Sequence, residues 1–378
     1  MKISVITARY SFTGVALAQT RLARALAERG HHVDMIFGCL DDGLPAEARK
    51  LPSVPGVAVV DWGVGRVRQM FVAMCRYLRT AKPDVIFSAE DHLNHMILLA
   101  AIVTRSRAKI SGSSRVLPVD AFGHDGPYSN RRFSRKWIFK QLAKCLMWRA
   151  DALTCVSEDM VGEYRKLFKN APHVCVHNII VDEASKLRMA EPVDHEWFVK
   201  KDVPIVAAAG TLTTRKGFVD LVRAVGRLKD RGREVRLAIF GEGAMRQELE
   251  SLVDQLGLTG SVWLPGRVDN PLKYFARSDV SVLSSYSEGL PNVLVEAMMC
   301  GCTPIATDCP TGPREVLQDG RYGYLVPMHD PDAMAEAIDL ALAKPIPAET
   351  LAEAVRRFEV ETVLDQHFRL LRITESGR

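Results

Sequence analysis

The chain has 378 residues, 47% of them hydrophobic and 25% charged, which is enough to bury two ordinary domains, and no apolar run reaches the length of a membrane span. The net charge of +5 hides an asymmetry: residues 1–180 carry 26 Lys+Arg against 15 Asp+Glu, a net of +11, and the remainder carries 24 against 30, a net of −6. A basic first half points to an anionic partner, but no nucleic-acid motif or basic-aromatic sheet pattern appears, so nucleic acid is not expected.

Residues 1–9 hold too short an apolar core for a secretion signal and read as a first strand, so the chain is expected to stay in the cytosol. The eight cysteines mostly sit in apolar runs and read as buried thiols. Cys300-x-Cys302 with Cys309 lacks the paired spacing of a zinc site. Short apolar runs alternate with helical patterns throughout, as in a parallel sheet covered on both faces. In the first half the predicted strands are 2–8, 33–38, 58–61, 84–89, 115–120, 152–157 and 174–177, with helical patterns such as 16–29, 66–81 and 133–149 between them. The first strand leads through residues 9–13 to Gly14 and a helix. A glycine there either lets backbone approach a ligand closely or is an ordinary turn residue. At the end of the predicted fifth strand stand Asp120 and, four residues on, His124, where a base or an electrostatic stabiliser would work. A surface-loop histidine is the other reading of His124.

Residues 130–150 read as a helix on which Lys136, Lys140 and Lys144 form one stripe flanked by Trp137 and Trp148, while Ile138, Leu142, Cys145 and Leu146 fill the broad remaining face. That pattern suits a helix lying, through 131–149, on an anionic membrane, or else a core helix with solvated lysines. A membrane surface of this kind or a phosphorylated acceptor is the expected anionic partner of the basic half.

A polar stretch, 181–203, reads as a linker. A second alternation follows, with strands at 204–210, 235–241, 262–264, 279–284 and 303–307 and helices at 218–231, 245–256 and 292–300. The expected architecture is α/β: two doubly wound Rossmann-like domains, 1–180 and 204–345, facing a cleft, with 346–378 helical, because ligands bind at the carboxyl ends of such strands. GTLTTRKG (210–217) repeats the strand–turn–helix pattern, and Arg215 and Lys216 beside a helix start would meet a diphosphate with charge-assisted hydrogen bonds. Gly241-Glu242-Gly243 lacks the third glycine of a dinucleotide fingerprint, since position 246 is arginine, and the next strand ends at Leu264-Pro265-Gly266 with no acidic residue, so a nicotinamide cofactor is not expected.

The most informative stretch is SSYSEGLPNVLVEAMMCG (284–301), with Glu288 and Glu296 eight apart. Pro291 suits the first turn of a helix and Gly301 the residue past its end. The helix body is apolar on nearly every face, so a carboxylate there needs partners. One carboxylate at the mouth of a helix start and a second two turns in would grip hydroxyls on both sides of a phosphate, as a sugar nucleotide requires. The alternative is a capping glutamate plus a core salt bridge.

Taken in order, the Gly14 turn, RADALTCVSEDM (149–160), HNIIVD (177–182), GTLTTRKGF (210–218), FGEGAMRQELE (240–250), PGRVDNP (265–271), the Glu288-x7-Glu296 pair and TPIATDCPTGPREVLQDGRYGYLVP (303–327) resemble the retaining glycosyltransferases of family 4, which have the GT-B fold. The likeness runs over about 1–340 and is most specific from 204 to 327. It implies that Glu288 holds the donor sugar's hydroxyls and Glu296 the ribose. It also implies that Lys216 and the backbone of Gly289 and Leu290 hold the diphosphate, that Gly266, Arg267 and Val268 border the base, and that Gly14 lies near donor phosphates or acceptor. The segment 349–373 would brace the first domain. The family usually has an arginine where Thr211 stands, and Arg215 could reach the same phosphate; it commonly has a histidine at the end of the strand that here leads to Asp120, so either Asp120 or His124 takes that place. The implied co-substrate is a UDP-sugar, or a GDP-sugar, with no cofactor and no required metal, and no Asp-x-Asp ligand pair that would suggest one is expected. The implied acceptor is a glycan or lipid-linked sugar in lipopolysaccharide, capsule or exopolysaccharide assembly, on the inner face of the cytoplasmic membrane. A sugar-nucleotide epimerase of the same fold and a non-catalytic nucleotide-sugar binding protein are the alternatives.

Overall fold

The computed structural model describes residues 1–10, 14–40, 52–64, 67–118, 128–169 and 171–374. The chain divides into two compact units, residues 1–179 with 360–378, and residues 180–359.

The first unit runs β1 (Lys2–Tyr10), α1 (Gly14–Glu28), β2 (His32–Leu40), β3 (Val57–Asp61), α2 (Val67–Thr80), β4 (Val85–Ala89), α3 (Asp91–Thr104), β5 (Lys109–Ser114), α4 (Arg135–Leu146), β6 (Ala152–Cys155), α5 (Glu158–Leu167) and β7 (His173–Cys175). Its seven strands lie in the order β3-β2-β1-β4-β5-β6-β7, every pair parallel. Alternate residues of a strand point to opposite faces, and both faces are covered. Ile3 and Val5 pack with Leu22, Leu26 and Val33 on one side, while Ile6 packs with Met70, Met74 and Ile97 on the other. The strand order reverses between β1 and β4, the switch point of a doubly wound sheet.

The fifth strand corrects the sequence reading. It is Lys109–Ser114, not 115–120, so Asp120 lies beyond its end and, with His124, outside the described residues. KISGSS carries a weak apolar signal because its neighbours demand small residues. A Cβ on Gly112 would lie 3.0 Å from the Asn94 side chain, and Ser111, Ser113 and Ser114 are buried.

The second unit runs α6 (Glu183–Met189), α7 (Glu196–Lys200), β8 (Ile205–Ala209), α8 (Phe218–Asp230), β9 (Arg236–Phe240), α9 (Arg246–Gln255), β10 (Val262–Gly266), α10 (Leu272–Phe275), β11 (Val280–Leu283), α11 (Asn292–Met299), β12 (Thr303–Thr307), α12 (Pro313–Val316), β13 (Tyr324–Val326), α13 (Pro331–Ala343) and α14 (Ala348–Val355). The stretch read as a linker thus holds two short helices. The first starts at Asp182, whose Oδ1 accepts from Ser185 N at 2.7 Å. Six parallel strands lie in the order β10-β9-β8-β11-β12-β13, so this sheet switches between β8 and β11. A last helix, α15 (Val360–Leu370), returns to the first unit, where Val363, Leu364 and Phe368 join the cluster around Ile3 and Val5. Both units are Rossmann-like. No helix among the described residues is long and apolar enough to cross a membrane.

Candidate functional site

The carboxyl ends of β8 and β11 lie side by side at the switch point of the second sheet, and glycines let their loops close on each other. Gly217 adopts φ +62°, and a Cβ on it would sit 2.0 Å from the Ser284 carbonyl oxygen. Gly241, after β9, leaves even less room, with the Gly210 oxygen 1.8 Å from a Cβ position. Backbone bonds from Leu212 N to Glu242 O at 3.0 Å and from Tyr286 N to Arg215 O at 2.8 Å stitch the three loops together. Only glycine satisfies such approaches.

Within this frame, Lys216 at the end of a short 3₁₀ turn (Thr214–Lys216) donates to Glu288 Oε1 at 2.6 Å. The stem of Lys216 folds back over Gly210. Arg215 Nη1 stands 3.6 Å from Glu288 Oε2 and donates to the Ser287 carbonyl at 2.6 Å. The Glu288 side chain is 8% exposed and that of Lys216 14%. Burial pushes the Glu288 carboxyl upward, but Lys216 and Arg215 outweigh it and hold the group below the usual carboxylate range. The Glu288 backbone is fixed as well, its carbonyl accepting from the Thr311 hydroxyl.

The structure brings Thr211, Arg215, Lys216, Glu288, Gly289 and Leu290 to the same sheet edge. Thr211 is exposed and Leu290 buried. Pro291 stands one residue earlier than expected: it precedes α11, which begins at Asn292, while Gly301 does follow the helix with φ +82°. Glu296 is partly exposed, as are Asn292, Val293 and Met299. The helix is therefore less enclosed than its apolar sequence implied. Gly266 (φ +82°) is clamped by the Glu242–Arg246 pair, its Cβ position lying 3.1 Å from Glu242 Oε2 and 3.2 Å from Arg246 Nη2. Arg246 binds Glu242 through Nε at 2.6 Å and through Nη2 at 2.8 Å, and Glu250 at 2.7 Å. Beyond Gly266, Arg267 is exposed and Val268 partly buried. In the first unit Gly14 is the exposed first residue of α1 rather than a turn residue.

An Asp-x-Asp spacing does occur, at Asp330-Pro331-Asp332, but both carboxylates have structural tasks. Asp330 caps α13 by accepting from Ala333 N at 2.9 Å, and Asp332 pairs with Arg227 and Arg231. The thiols are not uniformly buried either, since Cys145 is exposed.

The sequence did not reveal the brace behind Glu288. Tyr286 donates to the buried Asp220 at 2.7 Å and packs against His329 in a tilted pair with ring centroids 3.9 Å apart. An aromatic residue two positions before the glutamate was the available signal, and its partners come from distant loops.

Residues 12–183 match the family model described as Glycosyltransferase Family 4, and residues 191–358 the one described as Glycosyl transferases group 1. The chain belongs with the GT-B glycosyltransferases. Among curated relatives of this GT-B chain is an N-acetylgalactosamine-N,N'-diacetylbacillosaminyl-diphospho-undecaprenol 4-alpha-N-acetylgalactosaminyltransferase from Campylobacter jejuni, 34% identical over 54% of this chain and 54% of that protein. Another is the lipopolysaccharide core biosynthesis glycosyltransferase LpsE from Rhizobium meliloti, 34% identical over 45% of this chain and 50% of that one. The matches span 50–60% of the length of the first curated relatives. Among solved structures, Anabaena HepE in complex with UDP superposes with a TM-score of 0.74 at 19% identity, over 98% of this chain and 100% of that one, a likeness of fold.

Proposed function

We propose that the chain moves a sugar from a nucleoside-diphosphate sugar to a lipid-linked or oligosaccharide acceptor in cell-surface polysaccharide synthesis, retaining the anomeric configuration. A UDP-sugar is the first choice of donor and a GDP-sugar the second. The observation that carries this reading is the Lys216–Glu288 pair at the switch point of the second sheet: a cation for a diphosphate and a carboxylate for sugar hydroxyls, side by side at the edge where doubly wound sheets bind ligands. Lys216, Arg215 and the backbone of Gly289 and Leu290 take the diphosphate, with Thr211 beside them. Glu296 takes the ribose, and Gly266, Arg267 and Val268 border the base. The acceptor oxygen bonds to the anomeric carbon as the diphosphate departs from the same face, and a diphosphate oxygen takes the acceptor's proton. The protein's part is to stabilise the charge growing on the leaving group, which Lys216 and Arg215 can do without a resident metal. Gly14 and either Asp120 or His124 belong to the acceptor side in this reading. UDP in HepE and the lipid-diphosphate acceptor and lipopolysaccharide assembly named for the two relatives support these choices.

A membrane contact through 131–149 completes the proposal. Phe133, Ile138, Phe139, Leu142 and Trp148 are all exposed, next to Arg131, Arg132, Arg135, Lys136, Lys140 and Lys144. Of α4 only Ala143 and Leu146 are buried, so the helix spends little of its apolar surface on the core. The enzyme would then work as a peripheral protein on the inner face of the cytoplasmic membrane. Thermal-shift screening with UDP, GDP and their sugars, followed by NMR of the product's anomeric proton, tests the chemistry. An inverted product overturns retention, and a free epimerised donor formed without acceptor makes the chain an epimerase. Flotation tests the surface: wild type should rise with vesicles containing anionic lipid, and a Lys136→Glu/Lys140→Glu/Lys144→Glu variant should not. A wild type that ignores such vesicles at low salt refutes the membrane role.

A further inference from the structure

At the carboxyl edge of the first sheet, the residue after β5 is Arg115 and the residue after β4 is Glu90. Asn178, three residues past β7, reaches the same edge and accepts from Arg115 Nη1. Arg115 as a residue is partly exposed, yet its Nε is buried and has no partner. Burial lowers its pKa to about 10. A guanidinium in that position calls for a counter-charge, and among the described residues no carboxylate forms an ion pair with it. Among the described residues Glu90 is the carboxylate that acts on it, and Glu90 also faces His92 Nε2 at 3.4 Å. The other groups that sense the Arg115 charge are the Cys155 thiol and His367, which is buried against Phe87, has an unpartnered Nδ1, and stays neutral with a pKa lowered to about 3 by burial and then by Arg115. Neither carries a negative charge to match it.

The backbone beside this cation is also unusual. Glu90 holds φ +83° and ψ +130°, a conformation that costs an L-residue of order 1–3 kcal/mol and persists at sites where the strain serves a ligand. Three hydroxyls anchor the neighbouring carboxylate in place: Ser114, Tyr128 and Tyr164 donate to Asp91 at 2.9, 3.1 and 2.7 Å. The edge is therefore rigid and strained, and the described residues leave Arg115 without an ion-pair partner.

We infer that Arg115, with Asn178 beside it, is a phosphate-binding site of the first unit that receives the phosphate of the acceptor, separate from the residues assigned to the donor. The inference rests on the acceptor being lipid-linked through phosphate, and it names the group that the basic half of the chain contacts. A planar guanidinium matches two phosphate oxygens, and the Asn178 side chain holds one of its arms in place.

The test uses inorganic pyrophosphate on the full chain. The Lys216→Ala protein, whose donor site is weakened, should still bind pyrophosphate in a calorimetric titration. Adding Arg115→Met should weaken that binding at least about tenfold, and adding Arg115→Lys should restore part of it. The Arg115→Met single variant should bind UDP like wild type and should melt no lower, because an unmatched buried charge has been replaced by an apolar side chain. A lower melting temperature with pyrophosphate binding unchanged makes Arg115 a structural brace and overturns the site. Equal pyrophosphate affinity in the Lys216→Ala and Lys216→Ala/Arg115→Met proteins overturns it too. If wild type fails to bind UDP while Arg115 still governs pyrophosphate, the donor reading fails and this site stands.

Discussion

Replacing Glu288 with glutamine tests the donor site where its geometry is tightest. The carboxylate and Lys216 are 2.6 Å apart, with side chains 8% and 14% exposed. Removing one partner of such a pair outright costs about 3–5 kcal/mol. Glutamine keeps an oxygen for Lys216, so the loss shrinks to the difference between a charge-assisted and a neutral hydrogen bond, about 1–2 kcal/mol of stability without ligand. Binding should move the other way. In the wild type the diphosphate competes with Glu288 for Lys216; in Glu288→Gln it meets a lysine without a counter-charge, so free UDP should bind up to about tenfold more tightly. Transfer from a UDP-sugar should fall roughly ten- to a hundredfold, because the sugar hydroxyls lose a charged acceptor. Calorimetry with UDP and initial rates with the sugar nucleotide read the two effects separately. UDP affinity that is unchanged or weaker in Glu288→Gln refutes the claim that diphosphate and carboxylate share Lys216.

Lys216→Ala should reduce transfer more than Arg215→Ala, since Lys216 is the better buried and Arg215 already serves the Ser287 carbonyl; the reverse order means that Arg215 does the work of the arginine missing at Thr211. Gly241→Ala should destabilise the second unit by about 3 kcal/mol or more, as its Cβ would overlap the Gly210 oxygen at 1.8 Å. Gly232→Ala, which meets nothing within 4 Å, should cost only about 1 kcal/mol for its positive φ, and equal losses in urea melts refute the packing argument. Burial lowers His95 and His173 to about 4 and His367 to about 3. Their folded-state pKa values lie below the unfolded 6.5, so the unfolded chain binds protons first and stability present above pH 6.5 drains away as pH falls toward 4. Each contributes at most about 2 kcal/mol between pH 6.5 and 5. His367→Phe should flatten that slope, and an unaltered pH profile of denaturant midpoints counts against it.

The second sheet was legible because its signals are local. GTLTTRKG and SSYSEGLP each place glycine, charge and strand end within eight residues, and the folded loops carry their charges to one edge. The first sheet was harder to read. β5 hides in a serine- and glycine-rich run, whereas the more apolar residues after it drew the strand assignment. Glu90 gives no hint in sequence of its positive φ, and the hydroxyls that anchor the next residue, Asp91, come from 23, 37 and 73 residues away. That Arg115 has no ion-pair partner among the described residues was equally invisible, since it depends on which carboxylates reach it.

The path of the chain bears on how the molecule is made. The first unit lacks α15 until the ribosome has passed residue 360, although Arg29 depends on Glu361 and Asp365 for its ion pairs at 2.6 and 2.9 Å and Val363 and Phe368 complete the cluster around Ile3. The second unit, 180–359, is contiguous and can close as it emerges. At roughly 5–20 residues per second, the first unit waits on the order of 10–40 s with its seven-stranded sheet unsealed. The part made first is thus finished last, and its bare flank during that interval is where a chaperone would find the nascent chain.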